Sequence, residues 1–156
     1  MSKPLIMKKN FTREWNKMNT VFNTELPEVE PKVTIFVYGS LKKGKHNHRL
    51  LVNQEFVEDG VTSSSYPLVD FGAYPALLKE QPNIPSLPVK GEIYKVDAKG
   101  LQDLDWLESN GRLYNREEIG ITSDSGSTVK AWVYFFMRPT RAVNEPNVNN
   151  NNQYEF

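Results

Sequence analysis

Val33-Thr34-Ile35-Phe36-Val37-Tyr38-Gly39-Ser40-Leu41 is the stretch that decides the fold. Val33 to Tyr38 is a near-continuous apolar run, the pattern of a central strand buried on both faces. It runs straight into a Gly-Ser turn. A turn at a strand end offers free backbone N–H groups that can hold an anion or an oxyanion. Gly39 admits backbone angles that other residues resist and lets a ligand approach the main chain. Ser40 adds a hydroxyl.

Downstream of that strand, the sequence predicts further strands at Phe56 to Val61, Tyr66 to Val69, Val89 to Val96, Tyr114 to Thr122 and Thr128 to Phe136. The polar run Ser123-Asp124-Ser125-Gly126-Ser127 joins the last two as a hairpin loop. Phe71 to Pro75 reads as a turn, and the three prolines between Gln81 and Pro88 mark a surface loop. One helix is expected over 98–109, capped by Asp97 and ended by Gly111. Strands outnumber helices, so helices should pack on a strongly curved sheet or small barrel. Before Val33, the spacing Phe11, Trp15, Met18, Phe22 predicts an amphipathic helix over 11–22, and two prolines at 27 and 31 form a linker. Three divisions follow: an N-terminal extension over 1–32, a domain over 33–138, and a polar, disordered tail over 139–156.

Composition narrows the function. The 156 residues suit one domain with a real core. Charges balance, 19 basic against 19 acidic, which disfavours nucleic acid and anionic membranes as main partners. There is no cysteine, so disulfides, thiol nucleophiles and Cys-ligated zinc are excluded. No apolar run reaches the roughly 18 residues of a membrane span. No apolar signal-peptide segment stands at the N-terminus, so a soluble, cytoplasmic location is expected.

Two further groups carry possible chemistry. On the predicted helix, Leu101, Leu104 and Glu108 share one stripe, with Leu107 close by and Trp106 pointing away. A carboxylate on an apolar stripe is desolvated, which raises its pKa and suits it to proton transfer. The alternative is that Glu108 sits at the rim or pairs with Arg112. Asp103 and Asp105 fall on other faces and read as solvated. Tyr114 follows the helix closely and can offer a hydroxyl to the same pocket, or simply pack in its strand. His46 and His48, the two histidines, would share a face of an extended segment, but a metal would also need distant carboxylates, and no metal is expected. Lys32, Lys42, Lys43, Lys45 and Arg49 form a local basic stretch that reads mostly as a solvated loop. Lys42-Lys43-Gly44-Lys45 lacks the glycine spacing of a phosphate-binding loop.

Six segments, taken in order and spacing, resemble the gamma-glutamylcyclotransferase-like family, in particular its gamma-glutamylamine cyclotransferase branch. They are Val37-Tyr38-Gly39-Ser40-Leu41-Lys42-Lys43-Gly44, Asn47-His48-Arg49-Leu50-Leu51, Tyr74-Pro75-Ala76-Leu77, Gly91-Glu92-Ile93-Tyr94, Leu104-Asp105-Trp106-Leu107-Glu108 and Tyr114-Asn115-Arg116. The resemblance runs from about Val33 to about Phe136. It implies an α+β fold, a small mixed β-barrel with flanking helices. It implies a substrate-binding loop at Tyr38, Gly39, Ser40 and Leu41, joined by Tyr74 and Tyr114, with Glu108 as catalytic acid/base. The implied reaction is cofactor-free cyclisation of a small gamma-glutamyl substrate to 5-oxoproline and a free amine. Many relatives place Gly directly after the glutamate, whereas Ser109-Asn110-Gly111 follow here, a departure that bears on leaving-group specificity. The sequence leaves the oligomeric state open. It also leaves open a non-catalytic binding protein on the same fold, and an interaction module built on the helix at 11–22.

Overall fold

The buried strand at the head of the sequence becomes β1 (Val33–Val37), and its side chains serve two cores at once. Phe36 points into one cluster with Ile93, Ile121, Val133 and Phe135. Ile35 and Val37, on the opposite face, join Leu104, Tyr94, Tyr114 and Tyr134. This alternation is the period of two of a pleated strand. The computed structural model describes residues 31–138 and 144–156, within a unit spanning Pro31–Phe156. The helix expected over 11–22 lies outside the described residues.

The other strands are β2 (Glu55–Thr62), β3 (Leu68–Asp70), β4 (Pro75–Leu77), β5 (Lys90–Val96), β6 (Tyr114–Ser123) and β7 (Thr128–Phe136). They hydrogen-bond in the order β1-β5-β2-β6-β7, and a parallel contact between Ile35 and Trp132 returns β7 to β1. Five strands thus close a barrel. β4 and β3 extend it from the far end of β7, where Leu77 pairs with Phe135 in parallel. The fold is the small mixed barrel that the resemblance implies. Closure leaves little edge to β1, and its interior is filled by the apolar face of every second residue.

Among the described residues one α-helix, α1 (Ala98–Leu107), packs on the outside, and Asp97 caps it by accepting the Gly100 N–H at 2.7 Å. Leu104 is fully buried in the outer cluster. A short 3-10 turn, His48–Leu51, adds Leu51 to the same cluster. No helix among the described residues is long and apolar enough to cross a membrane.

The disordered tail expected over 139–156 is corrected over its described part, 144–156. Tyr154 is 2 % exposed within the barrel cluster. Its N–H donates to the Pro88 carbonyl and its carbonyl accepts from the Lys90 N–H, both at 2.8 Å. One buried aromatic with paired main-chain groups outweighs the polar composition around it. Asn149 organises the polar residues instead, its amide and carbonyl oxygen meeting Gln153, Glu155 and Asn151.

Candidate active site

The cavity opens where β7 changes partners. One edge of β7 runs beside β1 at Trp132 and beside β4 at Phe135. Between those points β1 ends, and Tyr38 to Leu41 turn away. Tyr38 fills the gap: its buried hydroxyl donates to the Tyr134 carbonyl at 2.8 Å and accepts the Leu77 N–H at 3.1 Å. The Tyr38 side chain therefore stitches β7 to β4. Its ring lines the cavity while its one donor is already used.

The turn holds its shape by local bonds. Lys42 N–H donates to the Gly39 carbonyl at 3.0 Å, and Asn47 N–H donates to the Ser40 carbonyl at 2.9 Å. Gly39 is needed for closeness: a Cβ there would lie 2.8 Å from the Pro75 ring, so Pro75 packs directly on the main chain. Among the described residues, the N–H groups of Gly39, Ser40 and Leu41 meet no acceptor. All three residues line the cavity. Main-chain donors away from water call for a partner, and here the space that could hold one is the cavity itself.

α1 delivers Glu108 to the opposite wall. The helix ends in a Schellman motif: Ser109 N–H donates to the Trp106 carbonyl, and Asn110 N–H to the Asp105 carbonyl at 2.9 Å. Ser109 takes the left-handed conformation, with φ 50°, at the position where glycine is favoured. The helix thus ends at Leu107, with Ser109 as the left-handed stop in place of the expected Gly111, whose own φ of 91° serves the next turn. Leu107 and Leu113 flank Glu108 on the cavity wall. No donor meets its carboxylate among the described residues, and Arg112 does not pair with it. Burial alone pushes its pKa from the ordinary 4.5 to about 7. Trp106, 84 % exposed, points away as the stripe predicts.

Tyr114 begins β6 beside Glu108, its ring edge-on to Phe136. Its hydroxyl has no hydrogen-bond partner among the described residues. Burial, then the charges of Glu108 and Tyr74, push its pKa up, so it stays a neutral donor. Tyr74 lines the cavity at its exposed side, its ring tilted against Phe71 at 5.3 Å and 42 % exposed. Thus Tyr38, Gly39, Ser40, Leu41, Tyr74, Glu108 and Tyr114 all line one cavity of about 200 Å³, a size suited to an amino-acid-sized group.

Sequence reasoning misread several neighbours. Asp105 is not a solvated carboxylate. It accepts from Arg116 Nε at 2.8 Å, Arg116 Nη2 at 3.0 Å and the Tyr134 hydroxyl at 2.6 Å. Burial pushes its pKa up, but the bonds from Arg116 and Tyr134 and the guanidinium charge outweigh that and hold it below the usual range. Tyr134, Asn47 and His46 also line the cavity. His48 does not share an extended face with His46: it opens the 3-10 turn, with Nδ1 2.9 Å from the Leu41 carbonyl oxygen. Among the described residues, no group of three or more His, Cys, Asp or Glu side chains could hold a metal. Nor is the basic stretch simply solvated. Lys42 is 8 % exposed, donates to the Phe156 carbonyl at 2.8 Å, and has its pKa lowered by burial. Lys43 Nζ lies 3.3 Å from the centre of the Phe56 ring.

Comparison with known proteins places this geometry in context. Residues 35–155 match the family model described as gamma-glutamyl cyclotransferase, AIG2-like. The match includes the tail segment that carries Tyr154. Gamma-glutamylaminecyclotransferase C of Danio rerio is 40 % identical over 114 residues, covering 64 % of this chain and 72 % of the relative. Gamma-glutamylaminecyclotransferase of Rattus norvegicus is 34 % identical over 120 residues, covering 64 % and 75 %. The crystal structure of an AIG2-like protein of Mus musculus superposes with a TM-score of 0.60 at 27 % identity, covering 80 % of this chain and 95 % of that one. From the closed barrel to the shared family segment, sequence and fold agree that this chain belongs to the gamma-glutamyl cyclotransferase, AIG2-like family.

Proposed function

We propose that the chain is a gamma-glutamylamine cyclotransferase, converting a gamma-glutamyl amine to 5-oxoproline and the free amine. One observation carries the reading: Glu108, largely desolvated and without a partner among the described residues, shares a cavity with three main-chain N–H groups that meet no acceptor among them. The similarity to proteins named gamma-glutamylaminecyclotransferases supports the substrate class.

The substrate's alpha-amine is largely protonated at neutral pH and cannot attack until it loses a proton. Glu108, titrating near 7, takes that proton. The freed nitrogen pair forms a bond to the gamma-carbonyl carbon, and the C=O pair moves onto oxygen. The N–H groups of Gly39, Ser40 and Leu41 hold that oxyanion. As the pair returns, the bond to the leaving nitrogen breaks and Glu108 gives its proton to the departing amine; the ring nitrogen's second proton then passes by way of Glu108 to that amine, which leaves as an ammonium ion. Nucleophile and electrophile belong to one molecule, so the site mainly folds the substrate for ring closure, a proximity gain. No cofactor enters this balance.

The test is 5-oxoproline release, by mass spectrometry, from a panel of gamma-glutamyl amines and peptides, with Glu108→Gln beside the native protein. Release that vanishes in the variant is the expected result and names the leaving amine. Undiminished release in the variant would sink the mechanism. No release from any substrate would point to a binding protein on the same fold.

A further inference from the structure

Ser40 carries the one hydroxyl on the candidate oxyanion turn, and its hydrogen-bond state is set from outside the turn. Asn47 Nδ2 donates to Ser40 Oγ at 2.9 Å. Asn47 also donates its main-chain N–H to the Ser40 carbonyl at 2.9 Å, so one residue grips Ser40 at both ends. The orientation of the Asn47 amide is not arbitrary. Its Oδ1 faces Arg49 Nη1 at 3.3 Å, and a guanidinium can only donate. Oδ1 therefore accepts from Arg49, and Nδ2 is left to face Ser40. Arg49 is itself steadied by the His46 carbonyl at 3.0 Å.

A hydroxyl has one proton and two lone pairs. With Asn47 donating to it, Ser40 Oγ must send its own proton elsewhere. No acceptor for that proton exists among the described residues, and Ser40 lines the cavity.

We propose that Asn47 is a positioning residue that keeps the Ser40 hydroxyl as a donor to a substrate oxygen. The acceptor is an anionic oxygen of the gamma-glutamyl group, either its carboxylate in the ground state or the oxyanion of ring closure. The inference rests on the cyclotransferase reading and adds to it a fourth donor beside the three N–H groups. Arg49 acts through Asn47 by fixing the amide, and its exposure keeps its charge from contributing much.

Asn47→Asp is the sharp test, because it keeps shape and reverses polarity. A carboxylate in place of Nδ2 accepts the Ser40 proton and turns it away from the cavity. The assay is steady-state 5-oxoproline release from whichever gamma-glutamyl amine the native protein converts best. Asn47→Asp and Ser40→Ala should each lose about tenfold in kcat/KM, the size of one hydrogen bond. The double variant should lose no more than either alone, because both remove the same donor. A loss confined to KM assigns the acceptor to the ground-state carboxylate, and a loss in kcat assigns it to the oxyanion. A purely structural role would lower the unfolding temperature and leave the losses multiplying. Asn47→Asp within twofold of native, or losses that multiply in the double variant, overturns the proposal. Should Asn47→Asp fail to fold, Asn47→Ala replaces it: the Ser40 proton is then free to turn, so Asn47→Ala should lose a few-fold, the double variant should lose no more than Ser40→Ala alone, and losses that multiply overturn the proposal. A native protein that releases no 5-oxoproline fails the underlying reading instead, and that outcome is separate from either of the above.

Discussion

Asp105 and Glu108 stand three residues apart on one helix, and they are opposite in chemistry. Asp105 meets three donors from β6 and β7 and is held ionised. Glu108 meets none among the described residues and is pushed by burial to about 7. Both suffer desolvation, so depth alone does not decide the charge state. Partners do. The satisfied carboxylate fixes the helix, and the other faces the cavity. Asp105 ties α1 to the barrel one turn before Glu108, so the paired carboxylate sets where the other one stands.

The largest effect should come from removing the unsatisfied member. Glu108→Gln should lower turnover by about a thousandfold, within the range for a general acid/base, while circular dichroism shows an unchanged fold. The same variant should reveal what the free carboxylate costs. Glu108 binds its proton more tightly in the folded chain than in the unfolded one. Its stabilising contribution is therefore full below about pH 4.5 and lost as pH rises through about 7. Urea unfolding should find Glu108→Gln equal to native near pH 4. At pH 8 the variant should be more stable, by up to about 3 kcal/mol. Equal stability at both pH values would mean that Glu108 is not desolvated.

Breaking the satisfied member should act the other way. Asp105→Asn removes the charge opposite Arg116 and one of the two oxygens that Arg116 and Tyr134 share, and should cost about 2 kcal/mol at neutral pH, read by the same urea series. Activity should fall with it, since α1 loses its tie. The smallest effect belongs to the hinge between the two carboxylates and β6. Ser109→Gly relieves a left-handed serine and should stabilise the chain by about 0.5–1 kcal/mol in thermal unfolding. A destabilised Ser109→Gly would show that the serine side chain contributes more than its backbone strain removes.

The sequence made one of these carboxylates legible and hid the other. The inward placement of Glu108 is legible because Leu101, Leu104 and Glu108 share a stripe, a local signal that survives without tertiary contacts. Asp105 was misread because its partners, Arg116 and Tyr134, arrive from strands 11 and 29 residues away. The same division runs through the fold. Strands and the Asp97 cap follow from short-range pattern. The reason for Gly39 does not, since Pro75 approaches it from another strand. Lys42 looked like one more loop lysine because nothing local shows that residue 156 returns to meet it. Tyr154 was lost among asparagines, where composition speaks for the many and burial depends on the one.

That last contact sets an order of events during synthesis. The turn at Gly39 to Leu41 leaves the ribosome early, yet its neighbour Lys42 is sealed by the carbonyl of Phe156, and Tyr154 plugs the barrel behind it. A nascent chain that has made every cavity residue still lacks the segment that closes over the turn's support. Competence to bind should therefore appear late, as a property of the chain through residue 156, and a translation arrest anywhere before Tyr154 should yield a barrel with its candidate site unset.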